Sequence, residues 1–241
     1  MDALAGAVAK ATGWAPSRLT AVYHETEDAG IARLKTNAPS FALVPLPFYL
    51  SHAKDLKLKA RAQSVEKDGR PLVSWALVAK KGRVRSASSL SGFTLVSLAA
   101  YNPDFIRNVA LGTWGKLPAD VAFSATGQVL SALKRAANGD NVAALLDASQ
   151  AASLASLPFA ADLEVVTTSP PVPGIVVCSV GTSVGPTATK QFVKGVLKMT
   201  ETPEGRLALD AVRLAKFVPL DAKALAAARA AYAPGKTSAA R

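Results

Sequence analysis

The sequence predicts an α/β protein of two lobes, with the second lobe inserted into the first. Three observations carry this. Strand-like and helix-like segments alternate along nearly the whole chain, the pattern of α/β architecture, for which largely parallel sheets are expected. Two long apolar segments, 71–80 and 174–180, bracket the middle hundred residues. Between "VVTT" and "GIVVCSV" stand three prolines within four residues, Pro170, Pro171 and Pro173. Proline lacks a backbone N–H and is excluded from central strands, so this run ends one strand and sets the angle at which another begins. If both apolar segments cross between lobes, lobe one comprises residues 1–76 and 178–241 with the C-terminal helix, and lobe two comprises 77–177. A chain of 241 residues suffices for two lobes of about 100–150 residues each.

The elements follow in order. Residues 2–12 form a helix ended by Gly13 at the C-terminal cap. "RLTAVYH" (18–24) alternates and is β-branched, so a strand is expected there. "TEDAGIARLKTN" is a helix with Thr26 as N-cap and Glu27 and Asp28 at the positive end of its dipole. "SFALVPLPFYL" (40–50) is a short strand halted by Pro45 and Pro47, and "LKLKARAQS" (56–64) alternates apolar with basic residues as a half-exposed strand does. "PLVSWALVAKK" is a long strand, "SASSLSG" a helical turn with a glycine stop, and "FTLVSLA" a further strand. Asn102 and Pro103 then open a helix as N-cap and first residue. "DVAFSA" is a strand and "TGQVLSALKRAANGD" a helix ended by Gly139; "NVAALLD", "LEVVTTS" and "GIVVCSV" are strands. A helix from Pro186 to about Thr200 precedes another capped by Thr202, with Pro203 in its first turn. "KFVPLD" closes the body, "AKALAAARAAY" is a last helix, and "APGKTSAAR" is expected to fray.

Half of the residues are hydrophobic and 19% are charged, a composition that buries a core and points away from disorder. No run reaches 18 apolar residues without charge, so no membrane span is expected. The net charge is +11, and the largest excess, ten basic against four acidic residues, falls in 178–241. No block of five or six like charges marks a nucleic-acid tail. A diffuse positive field suits an anionic ligand or surface, and equally a plain basic protein. Cys178, the only cysteine, lies in the apolar run "IVVCSV" and reads as a small buried thiol. The N-terminus lacks the basic start, apolar stretch and cleavage site of a signal peptide. A helical pattern directly after Met1 is what a chain that is cut or starts late would show.

Four stretches carry a family resemblance. "SWALVAKKGRVRSASSLSGFTLVSLAA" resembles the crossing strand, helical turn and next strand of the phosphate/phosphonate-type solute-binding proteins of ABC transporters. "VLSALKRAANGDNVAALLD" is similar to their helix–turn–strand, "VVTTSPPVPGIVVCSVG" to their return crossing, and "ETPEGRLALDAVRLAKFVPLD" to their "TPEG" helix and closing strand. The four occur in family order across about residues 2–232. The resemblance implies a type II periplasmic-binding-protein fold: two α/β lobes joined by two crossing strands, closing like a hinged trap on a solute held in a central cleft at strand ends and helix N-termini. It implies a small-molecule solute, anionic or polar, a membrane permease as partner, a periplasmic or extracytoplasmic location, no cofactor and no nucleic acid. A monomer is expected. The chain departs from the family in two respects. It starts at the first helix, without the strand and loop that precede it in relatives. After the strand ending near Leu98 it reads "AAYNPDF", where phosphonate binders carry a Ser/Thr-rich turn that grips the oxyanion. Hydroxyl donors are missing, and Asp104 opposes an anion.

Candidate ligand residues come from turns just beyond strands. Tyr49 matches the family's tyrosine after a lobe-one strand, with a core tyrosine as the alternative. His24 ends the strand expected at 18–24, or is a surface loop histidine. Tyr101 and Asn102 occupy one lobe-two turn and Ser124 and Thr126 the next, where helix N-termini present unpaired N–H groups; capping alone is the alternative for Asn102, Ser124 and Thr126. Trp75 lines the hinge or cleft, or packs in the core. Catalytic signals are poor. Two histidines and one cysteine in distant segments make no metal set, and "GTSVGPTATK" has proline where a phosphate loop needs Lys-Ser/Thr. Asp147 and Glu25 read as ordinary surface or turn carboxylates. A non-catalytic solute-binding protein or domain is expected, and the alternative is a degenerate module that keeps the fold as a sensor or interaction domain. An enzyme or a cytoplasmic regulator on the same fold is a third reading, disfavoured by the missing catalytic set and DNA-binding helix pair.

Overall fold

The computed structural model describes residues 1–36, 40–182 and 184–232; the "APGKTSAAR" tail lies outside the described residues. The chain divides into two units. Met1–Leu72 and Pro173–Leu225 make the first, and Val73–Val172, with the described residues from 226 to 232, make the second. The divisions therefore fall at Leu72/Val73 and inside the proline run at Val172/Pro173, a few residues ahead of the strands that follow. The segments bordering them run side by side, Val73 and Val172 exchanging N–H···O bonds of 2.8 and 2.9 Å.

Helix α1 (Asp2–Thr12) opens the first unit and ends at Gly13, which adopts the left-handed conformation (φ 72°) that a helix stop needs. Helix α2 (Glu27–Lys35) is capped by the Thr26 hydroxyl, which accepts from the Ala29 N–H. Strand β1 (Phe41–Pro45) runs into helix α3 (Leu46–His52), and strand β2 (Leu58–Glu66) follows. The expected strand over 18–24 does not form. Pro16–Arg18 make a 3-10 turn, and Val22 and Tyr23 lie exposed; alternation without a neighbouring strand to pair with has nothing to stabilise it. The expected strand over 40–50 stops at Pro45, because Pro47 fits the first turn of a helix, where its missing N–H costs nothing.

In the second unit strand β3 (Ala76–Lys80) leads through a helical turn (Ala87–Leu90) to β4 (Thr94–Ser97). Asn102 caps a turn that becomes π-helical over Phe105–Ala110. Strand β5 (Ala122–Ala125), helix α4 (Val129–Asn138), β6 (Val142–Leu146), the short helix α5 (Ala148–Ala152) and β7 (Leu163–Thr168) complete it. The chain returns as β8 (Ile175–Val180), α6 (Pro186–Leu197), α7 (Pro203–Ala211), capped by Thr202, and β9 (Leu214–Pro219). Helix α8 (Ala222–Tyr232) is divided between the units after Leu225.

The sheets are less parallel than the alternation of elements implies. The first unit's sheet, β1-β8-β2-β9, is antiparallel in every pair, because the returning strand β8 inserts between β1 and β2 against the direction of both. In the second unit, order β5-β4-β6-β3-β7, only β5, β4 and β6 run parallel; β3 is antiparallel to both of its neighbours. Helices α1, α6 and α7 cover the first sheet through Leu4, Val8, Phe192, Val196 and Leu209, joined by Met199 from the 3-10 turn (Met199–Glu201) between α6 and α7. Helix α4 covers the second through Leu133 and Ala136, packed on Val78, Ala144 and Leu146.

Cys178 sits on β8 with no exposed surface, and burial pushes its thiol up to about 12, against a smaller opposing effect of the Arg61 charge. Only the thiolate attacks a disulfide. At pH 8 the native protein is therefore expected to resist an aromatic disulfide reagent, and one thiol per chain should react once guanidinium unfolds it. Rapid labelling of the native protein would contradict this burial.

Candidate functional site

The second unit brings its strand ends to one edge. Ser97 of β4 pairs with Ala125 of β5, and Val96 with Ala144 of β6, so three parallel strands end within a residue or two of one another. Ala76, at the start of the antiparallel β3, stands opposite Leu146 and Thr168. The turns after β4, β5 and β6 thus share an edge with Trp75 and Ser169. In open α/β sheets, the carboxyl ends of parallel strands are where ligands are held.

The side chains at this edge are occupied to different degrees. Asn102 is buried; its Oδ1 accepts from the Phe105 N–H at 3.0 Å and from the Tyr232 hydroxyl at 3.4 Å. The geometry thus makes Asn102 a helix cap. The Thr126 hydroxyl accepts from the Gln128 N–H at 3.0 Å, and helix α4 starts three residues later, at Val129. Ser124 is half-buried on the edge strand β5. Tyr101 is half-buried, and Leu98, three residues before it, is exposed. Trp75 is buried, its ring edge-on to Phe105 with centroids 5.4 Å apart.

Two residues that the sequence reading passed over organise this edge. The Ser97 hydroxyl donates to the Leu145 carbonyl at 2.8 Å and accepts from the Ala99 N–H at 3.1 Å. The Ser169 hydroxyl accepts from the Trp75 N–H at 2.9 Å. Their signal was a serine at the end of each strand pattern, "TLVS" and "VTTS". Asp147 builds a capping box with Gln150 at the start of α5, a use that "D-x-x-Q" announces. The expectation of unpaired N–H groups needs correcting. Ala100 N–H bonds to the Ser97 carbonyl, Asn102 N–H to Ala99, and Thr126 N–H to Ser97. A tight turn satisfies its own donors before any ligand arrives.

Tyr49 and His24 belong to the first unit. Tyr49 is not on a loop: it sits in α3 with no exposed surface, because the run after Pro45 continues as a helix. His24 lies exposed in an irregular segment, since the strand it was to end is not formed. The other histidine, His52, pairs with Glu27 at 2.6 Å. Carboxyls held below their ordinary range lie elsewhere: Asp120 by the Ser91 hydroxyl, Asp68 by Arg70 and Glu204 by Lys10. Among the described residues no group of three or more His, Cys, Asp or Glu side chains could hold a metal ion, and no helix is long and apolar enough to cross a membrane.

Solved structures show what class of protein has this architecture. The Xanthomonas citri protein XAC2383 bound to ATP is similar at TM-score 0.72 and 14% identity, over 95% of this chain and 91% of that one. PhnD1 from Prochlorococcus marinus in complex with methylphosphonate gives 0.64 and 13%, over 93% and 87%. A binding protein component of an ABC phosphonate transporter from Pseudomonas aeruginosa gives 0.61 and 17%, over 92% and 76%. The fold is that of the type II periplasmic binding proteins. No curated protein sequence matches the chain. The family described as ABC transporter, phosphonate, periplasmic substrate-binding protein matches over residues 3–225, and the chain belongs to it. It is thus a solute-binding protein of the ABC-transporter type, from a family that acts outside the cytoplasm.

Proposed function

We propose that this protein captures a small polar or anionic solute other than a simple phosphonate, by closure of its two lobes, and delivers it to a membrane permease. It does so as a monomer, without nucleic acid and without a catalytic step. The observation that carries this reading is the convergence of the β4, β5 and β6 ends with Trp75, Tyr101, Ser124 and Thr126 on one edge of the second unit. Tyr101 supplies an aromatic contact, and Ser124 and Thr126 supply hydroxyls. Closure requires the solute to bind the closed state better than the open one, so contacts from the first lobe are part of the proposal; of the two candidates there, His24 is exposed and Tyr49 is buried in α3.

Simple oxyanions fit this edge poorly. Ser97 and Asn102 spend their side chains on internal bonds, the Thr126 oxygen already accepts from the Gln128 N–H and keeps only its O–H to donate, and Asp104 adds an exposed carboxylate beside the turn. Calorimetry with phosphate, phosphite and methylphosphonate is expected to give no submicromolar affinity. A submicromolar value for any of them would mean that the remaining backbone N–H groups suffice.

The same internal bonds favour a second reading, in which the fold is kept as a sensor or interaction module with no solute. A thermal-shift screen of small polar solutes separates the two. At a hundred times Kd a captured solute adds about 2.7 kcal/mol, which raises Tm by roughly 5–10 °C in a chain of this size. A library in which nothing raises Tm supports the module.

A further inference from the structure

We infer that the second unit carries a separate pocket for a compact oxyanion, built by Arg107 and Lys116. Its cavity of about 250 Å³ is lined by Arg107, Asn108, Gly112, Gly115, Lys116, Leu117 and Ala231. No lining residue is shared with the strand-end edge, and Leu117 lies ahead of the amino end of β5, opposite the end at which that edge forms.

Arg107 is held in place before any ligand binds. Its Nη1 donates to the carbonyls of Leu117 at 3.4 Å and Pro118 at 3.1 Å, and its guanidinium stands over the Phe123 ring, 4.8 Å from the centroid. This contact and the two bonds restrain the guanidinium, and among the described residues its Nη2 and Nε donate to no protein acceptor, so they are open to a ligand. Among the described residues neither Arg107 nor Lys116 has a carboxylate partner, although Asp104 lies three residues before Arg107. The lining itself contains no acid.

The backbone keeps the cavity open. Arg107 and Asn108 sit in the π-helical turn, a rare geometry found often at functional sites. A Cβ at Gly112 would stand 2.2 Å from the Asn108 carbonyl oxygen, so no side chain fits there. Gly115 has φ +145°, which other residues rarely adopt. The last turn of α8, reaching the pocket at Ala231, brings a partial negative charge of about one half. Two full positive charges outweigh it. The volume is below the roughly 300–1,000 Å³ of ordinary small-molecule pockets, a size that suits a compact oxyanion such as phosphate or pyrophosphate.

The test is calorimetric titration of the full chain with pyrophosphate at constant ionic strength. Wild type is expected to bind with Kd on the order of 0.1–1 mM. Lys116→Gln should weaken this roughly tenfold by removing a charge-assisted bond. Arg107→Lys, which keeps the charge and loses the fork, should weaken it as well. Tyr101→Ala should leave it unchanged, which separates this pocket from solute capture at the strand ends. The proposal fails if pyrophosphate at about 10 mM, well above the expected Kd, gives no binding heat. It fails also if Lys116→Gln binds like wild type, or if Tyr101→Ala abolishes binding. Should Arg107→Lys fail to fold, Lys116→Gln alone decides, because its side chain is exposed.

Discussion

Gly205→Ala is expected to lower the stability of the first unit on the order of 3 kcal/mol. A Cβ at this position would lie 1.8 Å from the Met199 carbonyl oxygen, 2.7 Å from its carbon and 3.0 Å from the Thr202 hydroxyl. The obstacle is backbone, which cannot swing aside as a side-chain tip can. To admit the methyl, either the 3-10 turn Met199–Glu201 moves or α7 shifts along its axis. Moving the turn dislodges Met199, which is 1% exposed and packs among Ala208, Leu209, Phe192 and Val196. Shifting the helix breaks the cap in which the Thr202 hydroxyl accepts from the Gly205 N–H at 3.1 Å, a bond worth about 1 kcal/mol. Overpacking adds about 1–3 kcal/mol, and together they should lower Tm by roughly 6–12 °C. Gly127→Ala is the control: a Cβ there meets nothing within 4 Å, and a change within about 0.5 kcal/mol is expected. Equal melting of the two variants would mean that the turn yields cheaply.

The glycine of "TPEG" shows where sequence reading stops. Thr202 as cap and Pro203 in the first turn were legible, because capping is a local transaction between a hydroxyl and a nearby N–H. The same holds for Gly13, Gly139 and Thr26. The need for glycine at 205 comes from the preceding turn folding back onto the helix, which no local pattern encodes. Strand 18–24 failed for the converse reason: "RLTAVYH" has a strand's alternation, yet no neighbour pairs with it, and Tyr23 is 70% exposed. Sheet order was likewise hidden, since β8 inserts between β1 and β2 from far along the chain. At the candidate site the turns themselves were legible as chain that follows a strand. The direction of each side chain was not: Asn102 and Thr126 turn inward to cap, and the π-helical turn after Asn102 gave no signal.

Replacing Tyr101 and Asn102 one at a time should separate binding from folding. The two are adjacent in the turn after β4 and were equal candidates on position alone. Asn102 is 4% exposed and caps the π-helical turn through the Phe105 N–H. Asn102→Ala therefore leaves a buried N–H without its acceptor and removes the contact from the Tyr232 hydroxyl. A loss of about 1–2 kcal/mol of stability is expected, seen as a Tm lower by roughly 2–8 °C. Any loss of affinity should then vanish when binding is measured well below Tm. Tyr101 is only half-buried, so its ring has surface left for a solute to cover. Tyr101→Ala should remove an aromatic contact worth on the order of 1–3 kcal/mol, weakening capture of a solute found in the screen roughly 5- to 150-fold. Its Tm without solute should stay close to that of wild type, because a half-exposed turn residue contributes little to a core. Calorimetry and thermal melts on both variants give four numbers. If Tyr101→Ala keeps its affinity and loses stability, the ring is structural, the edge after β4 holds no solute, and the module reading takes the place of capture.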